Sequence, residues 1–125
     1  MKKLIVEKTE KTPYICFDNG YIEVRGRSIL EDSTPFYSPL IEWLEDYIKK
    51  PELRTSITFG LEYSNSNSNK FIFKMIHLLE KCHTNGGNIK INWYFEKDDD
   101  SIKDLGNDLK KLLNVPIKLI EVNAI

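Results

Sequence analysis

The sequence predicts an α/β domain with a mixed, mostly parallel sheet, an N-terminal antiparallel hairpin and about three helices. Two short β-rich runs flank Asp18-Asn19-Gly20, a strong signal for a tight turn. Beyond them, segments with apolar residues at helical spacing alternate with segments in which apolar residues recur at every second position. This alternation favours right-handed crossovers between parallel strands. We expect one domain spanning residues 1–125.

The N-terminal part of the chain supplies the hairpin. Its strands are predicted over Tyr14 to Asp18 and Tyr21 to Gly26, and the short apolar run from Leu4 to Glu7 is a candidate for a further strand. Arg27 to Tyr37 follows as a connection without a clear period. Connections of this length are more often functional or irregular than neutral, so the segment is of interest.

The first helix is predicted to begin at Ser38 as the N-cap, with Pro39 in the first helical position. Three apolar residues then recur at helical spacing: Leu40, Leu44 and Tyr47. Pro51 is expected to end the helix, because proline disfavours helical geometry in the residue before it.

A strand is predicted over Thr55 to Leu61, followed by a serine- and asparagine-rich tract from Tyr63 to Lys70. Apolar residues at helical spacing then predict a second helix of about four turns: Phe71, Met75, Leu78 and Cys82. Asn85-Gly86-Gly87 is a typical helix end.

The C-terminal part repeats the same alternation. Asn88 to Phe95 alternates cleanly between apolar and polar residues, as expected of a strand, and Glu96 to Asp100 is an acidic turn. A third helix is predicted from four apolar residues: Ile102, Leu105, Leu109 and Leu112. Pro116 marks its end, and a last strand is expected over Ile117 to Val122.

Composition excludes several classes of protein. A formal net charge of −1 removes the usual electrostatic case for binding nucleic acid. No apolar run approaches the length of a membrane helix, and the N-terminus does not have the pattern of a signal peptide. Together with two cysteines, which are expected to be reduced thiols, this predicts a cytoplasmic protein without contact to a membrane.

The tract from Tyr63 to Lys70 is the most informative segment. It joins the end of a strand to the start of a helix, where sheets of this type present functional loops and where free N–H groups favour an anion. A serine there is either an ordinary N-cap or an acceptor of a phosphoryl group. The tract is weak as a nucleotide-binding loop, since it has no glycine and Lys70 lacks the context of a P-loop.

Other candidate sites are weaker. The acidic turn over residues 96–100 has ligands for a hard cation, although such runs are more often solvated turns that cap a helix. His77, Cys82 and His83 do not supply the ligand set of a zinc site, and no catalytic constellation can be assigned. We therefore expect no metal and no cofactor. Trp43 and Trp93 are expected in the core.

Several collinear blocks between Thr12 and Pro116 together resemble the SiaC family of bacterial regulatory phosphoproteins. They are Thr12-Pro13-Tyr14-Ile15-Cys16-Phe17-Asp18; Gly26-Arg27-Ser28; Pro35-Phe36-Tyr37-Ser38-Pro39-Leu40 with Trp43-Leu44; Leu61-Glu62-Tyr63-Ser64-Asn65-Ser66-Asn67-Ser68-Asn69-Lys70; and Trp93-Tyr94 with Asp104-Leu105-Gly106-Asn107-Asp108.

The resemblance implies a fold similar to the STAS domains of anti-sigma-factor antagonists and a role as a binding switch without enzymatic activity. It implies three partners: a cognate serine/threonine kinase, a PP2C-type phosphatase and an effector such as a diguanylate cyclase. The family pattern Tyr-x-Asn-Thr-Ser-Ser aligns its phosphoacceptor threonine with Ser66, and Ser68 and Ser64 remain alternatives. Six residues are expected to contact partners: Tyr63, Asn65, Asn67, Lys70, Arg27 and Tyr37.

The leading hypothesis is therefore a cytoplasmic switch whose partner binding is controlled by reversible serine phosphorylation. Two alternatives stay open: a small metal-dependent enzyme that uses the acidic turn, and a purely structural or oligomerisation module. For Arg27 in particular, an ion pair with a carboxylate within the chain is as plausible as a place in the partner surface.

Overall fold

A computed structural model describes residues 1–125. The strands are β1 (Leu4–Val6), β2 (Tyr14–Asp18), β3 (Tyr21–Ser28), β4 (Arg54–Ser64), β5 (Asn88–Glu96) and β6 (Ile117–Val122). The helices are α1 (Thr34–Tyr47) between β3 and β4, α2 (Ser66–Thr84) between β4 and β5, and α3 (Asp100–Leu112) between β5 and β6.

The six strands form one mixed sheet in chain order. β1, β2 and β3 pair in antiparallel fashion, and β3 through β6 pair in parallel. Each parallel connection passes through one helix, since parallel neighbours need a crossover connection. The predicted fold class, a mostly parallel α/β sheet with an N-terminal hairpin and three helices, is confirmed.

All three helices pack on one face of the sheet. The strand pairing places five apolar residues in one row on that face: Phe17, Ile22, Ile57, Ile91 and Ile117. Trp43 of α1 packs against Phe17, with 5.4 Å between ring centroids. On the same face, toward the β6 edge of the sheet, Gly106 of α3 lies against Trp93 of β5. The domain therefore has two layers, one of strands and one of helices.

The opposite face of the sheet carries no helix. A row across it is mostly polar: Cys16, Glu23, Thr58, Asn92 and Lys118. Arg25 crosses this face, because a Cβ on Gly60 would lie 3.2 Å from its Nη1 atom. The guanidinium carbon reaches 5.9 Å from the centre of the Tyr94 ring. A glycine at position 60 thus leaves room for the arginine to lie flat on the sheet.

The core is a single continuous cluster of 28 buried residues between the two layers. Both tryptophans belong to it, as predicted, and Trp93 is fully buried. Its Nε1 donates to the carbonyl oxygen of Ile102 at 2.9 Å, so the one polar atom of the indole is satisfied inside the core. No helix combines the length and apolar character that crossing a membrane requires.

Helix α1 begins five residues earlier than predicted. It starts at Thr34 rather than after Ser38, and the N–H of Tyr37 donates to the carbonyl of Ser33 at 3.0 Å. Pro35 occupies the first turn, where proline is tolerated because its missing N–H has no partner there anyway. The predicted cap at Ser38 was wrong, since Pro39 lies inside the helix, and its lack of an N–H leaves one carbonyl unpaired at the exposed Pro35.

Other element boundaries also differ from the prediction. β4 extends to Ser64 and α2 begins at Ser66, five residues before the first apolar residue of the predicted helix. The first turn of α2 is polar because most of it faces solvent, so apolar periodicity gives no signal there. At the end of α3, Leu112 is 70% exposed, and Leu113 takes the buried position instead.

We expect that Gly106→Ala destabilises the domain by about 1–3 kcal/mol, as overpacking does. An added Cβ would lie 2.5 Å from the Trp93 ring and 3.0 Å from Leu119. In an open helix the same substitution stabilises by roughly 1 kcal/mol, so the packing determines the sign. Urea unfolding measures the change, with Asp104→Ala, an exposed position of α3, as the control. A gain in stability for Gly106→Ala would contradict this packing.

Candidate functional site

The site is built around the first turn of α2, which follows the end of β4. Asn65 is the N-cap, and its Oδ1 accepts from the N–H of Ser68 at 2.9 Å. The carbonyl of Asn65 accepts from the N–H of Asn69 at 2.9 Å. These contacts leave the N–H groups of Ser66 and Asn67 facing outward at the positive end of the helix dipole. The arrangement favours a negative charge at Ser66.

The three serines of the tract have different environments. Ser66 is exposed at the first residue of α2. Ser68 is 0% exposed. The hydroxyl of Ser64 is half-buried and donates to Oδ1 of Asn69. Hydrogen bonds within the chain thus occupy the hydroxyls of Ser64 and Ser68 but not that of Ser66. Of the three hydroxyls, that of Ser66 is the one accessible to another protein's active site.

A buried cluster of hydroxyl groups lies directly beneath this turn. The hydroxyl of Ser28 donates to Oγ of Ser68 at 2.6 Å and lies 2.6 Å from the hydroxyl oxygen of Tyr37. Ser68 in turn donates to the carbonyl of Ser28 at 3.1 Å, and its Oγ lies 3.4 Å from that of Ser33. The cluster joins β3, α1 and α2 at a single point. Each of these buried hydroxyls therefore has a partner, as buried polar groups require.

Tyr37 belongs to this cluster and not to a surface. It is fully buried, and its ring stacks on Phe71 of α2 at 5.2 Å between centroids. Burial raises the pKa of Tyr37, and the neighbouring hydroxyls of Ser28 and Ser68 partly oppose that rise. The prediction that Tyr37 contacts a partner was wrong, because the longer α1 turns this residue into the core.

Two asparagines of the tract hold the loop between β3 and α1. Nδ2 of Asn65 donates to the carbonyl of Leu30 at 2.9 Å, and Nδ2 of Asn67 donates to the carbonyl of Glu31 at 2.6 Å. The N–H of Asn65 also bonds to the carbonyl of Ser28 at 3.0 Å. The loop of residues 29–33 is thereby fixed against the start of α2. Both amide side chains act within the chain, and that of Asn67 is also exposed.

The exposure of Tyr63 follows from an irregularity in the sheet. The pairing of β3 with β4 shifts between Gly26 and Arg27, so that Leu61 pairs with Gly26 but Tyr63 pairs with Arg27. Glu62 is the extra residue. Strict alternation would place Tyr63 on the buried face with Leu61, whereas the bulge turns it outward, 53% exposed.

Arg27 forms an ion pair within the chain. Its Nε lies 3.0 Å from Oε2 of Glu62. Its side chain is still more than half exposed, so both of the roles predicted for Arg27 are compatible with this geometry. Two adjoining clefts of about 750 Å³ and 590 Å³ share this pair, one reaching the N-terminal segment at Lys8 and Lys11, the other reaching Tyr63 and Glu96.

Sequence reasoning missed the residues that complete this surface. Lys8 and Lys11 lie in a segment without secondary structure, and Glu62 lies at a bulge. Nothing in the local pattern marks their proximity to Arg27. The charged character of the N-terminal segment is the one signal that a reader of the sequence could have used.

A shallow cleft of about 380 Å³ adjoins the start of α2. It is lined on one side by Glu31 and Asp32 of the β3–α1 loop and on the other by Lys70 and Lys74 of α2. Lys70 is exposed and lies one helical turn beyond Ser66, where an i,i+4 partner reaches. The lysines therefore provide cations near Ser66, while the loop provides carboxylates opposite them.

The acidic turn and the histidines do not converge on a site. Oδ1 of Asp99 caps α3 by accepting from the N–H of Ile102 at 3.0 Å, and Oε2 of Glu96 accepts from the N–H of Ile125 at 3.2 Å. No group of three or more metal-ligating side chains comes together in the structure. Cys82 is buried in the core, and burial raises the pKa of its thiol, which disfavours the thiolate.

Fold and site together define a class: a two-layered α/β protein that presents an exposed serine hydroxyl at the start of the helix after β4. A family model described as SiaC family regulatory phosphoprotein matches residues 6–122. The chain therefore belongs to the SiaC family. This agrees with the resemblance seen in the sequence blocks.

Solved structures share the fold over nearly the whole chain. SiaC of Pseudomonas aeruginosa superposes with a TM-score of 0.89 at 22% identity, covering 98% of this chain and 100% of that chain. A crystal structure of the diguanylate cyclase SiaD in complex with its activator SiaC, also from Pseudomonas aeruginosa, contains a chain that superposes with a TM-score of 0.87 at 23% identity. That superposition covers 95% of this chain and 99% of the other.

A related protein also matches nearly the whole chain in sequence. An uncharacterised protein of Pseudomonas aeruginosa strain UCBPP-PA14 is 23% identical over 121 residues, which covers 95% of this chain and 96% of the relative.

Ser66 and Ser68 form a matched pair for a test of the buried cluster. We expect that Ser68→Ala destabilises the domain by about 1–3 kcal/mol, because it leaves the hydroxyl of Ser28 without its acceptor in a buried place. Ser66→Ala removes an exposed hydroxyl and should change stability by less than about 0.5 kcal/mol. Chemical denaturation measures both, and equal effects would show that the cluster does not hold α2.

Proposed function

We propose that this chain is a non-enzymatic switch whose partner binding is controlled by reversible phosphorylation of Ser66. The observation that carries the proposal is the exposed hydroxyl of Ser66 at the first residue of α2, next to two free backbone N–H groups. Membership of a family of regulatory phosphoproteins supports it. The alternatives Ser64 and Ser68 are less favoured, because each is hydrogen-bonded and less accessible.

The proposed chemistry belongs to the partners. A cognate serine/threonine kinase transfers the γ-phosphoryl group of ATP to Oγ of Ser66, releasing ADP and the hydroxyl proton. A PP2C-type phosphatase then hydrolyses the phosphoserine to serine and inorganic phosphate. This chain contributes a positioned acceptor to both reactions.

The start of α2 suits a phosphoserine physically. A phosphate adds about −1.5 to −2 charges at pH 7. The N–H groups of Ser66 and Asn67 and the helix dipole stabilise such a charge, and Lys70 lies within reach as a counter-ion. The carboxylates of Glu31 and Asp32 across the cleft limit how far the phosphate moves in their direction.

The partner surface in this proposal surrounds Ser66. It includes Tyr63, which the bulge turns outward, Arg27, which the regular alternation of β3 exposes, and the exposed Asn67 and Lys70 on α2. Burying a phosphate against a partner without pairing it costs several kcal/mol. A loss of about 4 kcal/mol weakens binding roughly a thousandfold, so no large conformational change is required.

We propose a diguanylate cyclase, or a similar effector, as the output partner. Support comes from SiaC of Pseudomonas aeruginosa, which forms a complex with the diguanylate cyclase SiaD as its activator. The shared fold makes the same mode of action reasonable for this chain, with the unphosphorylated form as the one that binds.

Phosphorylation of Ser66 can be tested by co-expression with the cognate kinase and intact mass spectrometry. We expect a phosphate-sized mass increase that maps to the peptide containing Ser66. Ser66→Ala should abolish the increase, while Ser66→Thr and the matched control Ser64→Ala should retain it. A phosphate on Ser64 in the unaltered chain would overturn the assignment.

Partner binding is tested separately with the purified cyclase partner by isothermal titration calorimetry. Phosphorylated protein should bind about a thousandfold more weakly than unmodified protein. Ser66→Ala, which adds no charge, should bind about as well as the unaltered chain. Equal affinities of the phosphorylated and unmodified forms would refute control by phosphorylation even if Ser66 is modified.

A further inference from the structure

We propose a second docking site at the end of α2 opposite to Ser66, which accepts an acidic segment of a partner protein. The site is an open cleft of about 640 Å³ where β5 and β6 begin and α2 and α3 end. His83, near the end of α2, lines it, whereas Ser66 begins the same helix. At 1.5 Å per residue, the two lie roughly 25 Å apart. The proposal does not depend on phosphorylation of Ser66.

The charge of this cleft is one-sided. Its ionisable lining residues are all basic: His83, Lys90, Lys110 and Lys118. No aspartate or glutamate lines it, although the chain has 19 acidic and 18 basic residues apart from histidine. The cleft therefore concentrates positive charge, although the chain as a whole has a net charge of −1.

Helix ends explain only part of the excess. Lys110 and His83 lie in the last turns of α3 and α2, where cations complement the helix dipole. Lys90 and Lys118 lie on strands β5 and β6, where no such role exists. None of the three lysines forms an ion pair within the chain.

A carboxylate beside the cleft, that of Glu80, is already engaged. Oε2 of Glu80 accepts from the N–H of Asn114 beside the cleft, and its Oε1 lies 3.2 Å from Nδ1 of His77 on the other side. Glu80 therefore ties the α3–β6 loop to α2 rather than neutralising the lysines. In addition, Nδ1 of His83 is buried and has no hydrogen-bond partner within the chain.

The apolar side chains at the bottom of the cleft belong to the core. They are Leu113, Val115 and Ile117 together with Ile91, and each is 7% exposed or less, so they close the cleft without offering an apolar pocket. The N–H of Ile91 donates to the carbonyl of Pro116 at 3.1 Å, which fixes the loop against the sheet. The surface that remains accessible is a cationic rim on a preformed base, which matches an occupant that brings several anions.

The chemistry of the lining selects the occupant. Lysine ammonium groups are point charges that suit carboxylates, and the cleft has no arginine fork for bidentate binding of phosphate. It also has no aromatic ring on which a nucleobase could stack. A nucleotide is therefore a poorer fit than a peptide rich in glutamate and aspartate. The amides of Asn92 and Asn114 add hydrogen-bonding capacity for a peptide backbone.

The test uses a fluorescein-labelled peptide of six glutamates, measured by fluorescence anisotropy and by NMR of the 15N-labelled full chain. We expect binding that weakens with salt, and amide shifts concentrated at Leu113, Val115 and Lys118. The double variant Lys90→Glu with Lys118→Glu should weaken binding about tenfold or more. The matched control, Lys49→Glu with Lys50→Glu, reverses two exposed lysines outside the cleft and should bind as the unaltered chain does.

Several outcomes would overturn the proposal. They are equal weakening by both double variants, equal binding of a peptide with glutamines in place of glutamates, and tighter competition by GMP than by the unlabelled acidic peptide. Self-association through the cleft, seen as a dimer in sedimentation that Lys90→Glu with Lys118→Glu dissolves, would show that a second copy is the occupant instead. The neutral variant Lys90→Gln with Lys118→Gln should also weaken binding. It serves as a control for a folding defect in the charge-reversed protein.

Discussion

The first turn of α2 depends on the buried contact between Ser28, Ser68 and Tyr37, and much of the site depends on that turn. The three hydroxyls come from β3, α2 and α1, and they meet with oxygen–oxygen distances of 2.6 Å. Because each is buried, an unpaired member would cost free energy, so the three elements are held in one relative position. Asn65 extends the same constraint to the surface by capping α2 and binding the loop before α1. The exposed Ser66 is fixed in place by its buried neighbours.

The fold class was predictable because apolar periodicity reports which residues face the core. Ile57, Phe59 and Leu61 on β4 alternate as a half-buried strand should, and the structure buries all three. The predicted starts of α1 and α2 were wrong. The polar first turn of α2 carries no apolar signal. At α1, Phe36 and Tyr37 continue the apolar spacing toward Thr34, but Ser38-Pro39 has the pattern of a helix start and led to the wrong boundary.

The surface near Ser66 was predictable only in part, for a reason that lies in the sheet. A single extra residue at Glu62 reverses which side chains of β4 face outward, and alternation alone cannot reveal it. Tyr63 is exposed as a result. Tyr37 was expected to contact partners, but its hydroxyl bonds to Ser28 inside the domain. In both cases long-range pairing decided the outcome, and one sequence without relatives does not show such pairing.

The helix dipole gives a phosphate on Ser66 two effects of opposite sign. In the free protein, the N–H groups at the start of α2 stabilise the added charge, typically by about 0.3–1 kcal/mol at an exposed site. In a complex, the same charge must leave water, and that penalty reaches several kcal/mol unless the partner supplies a cation. The modification would therefore stabilise the free domain slightly while weakening its complexes much more. The sign of the switch then depends on the partner: an apolar surface opposite Ser66 makes phosphorylation inhibitory, whereas an arginine there would make it favourable.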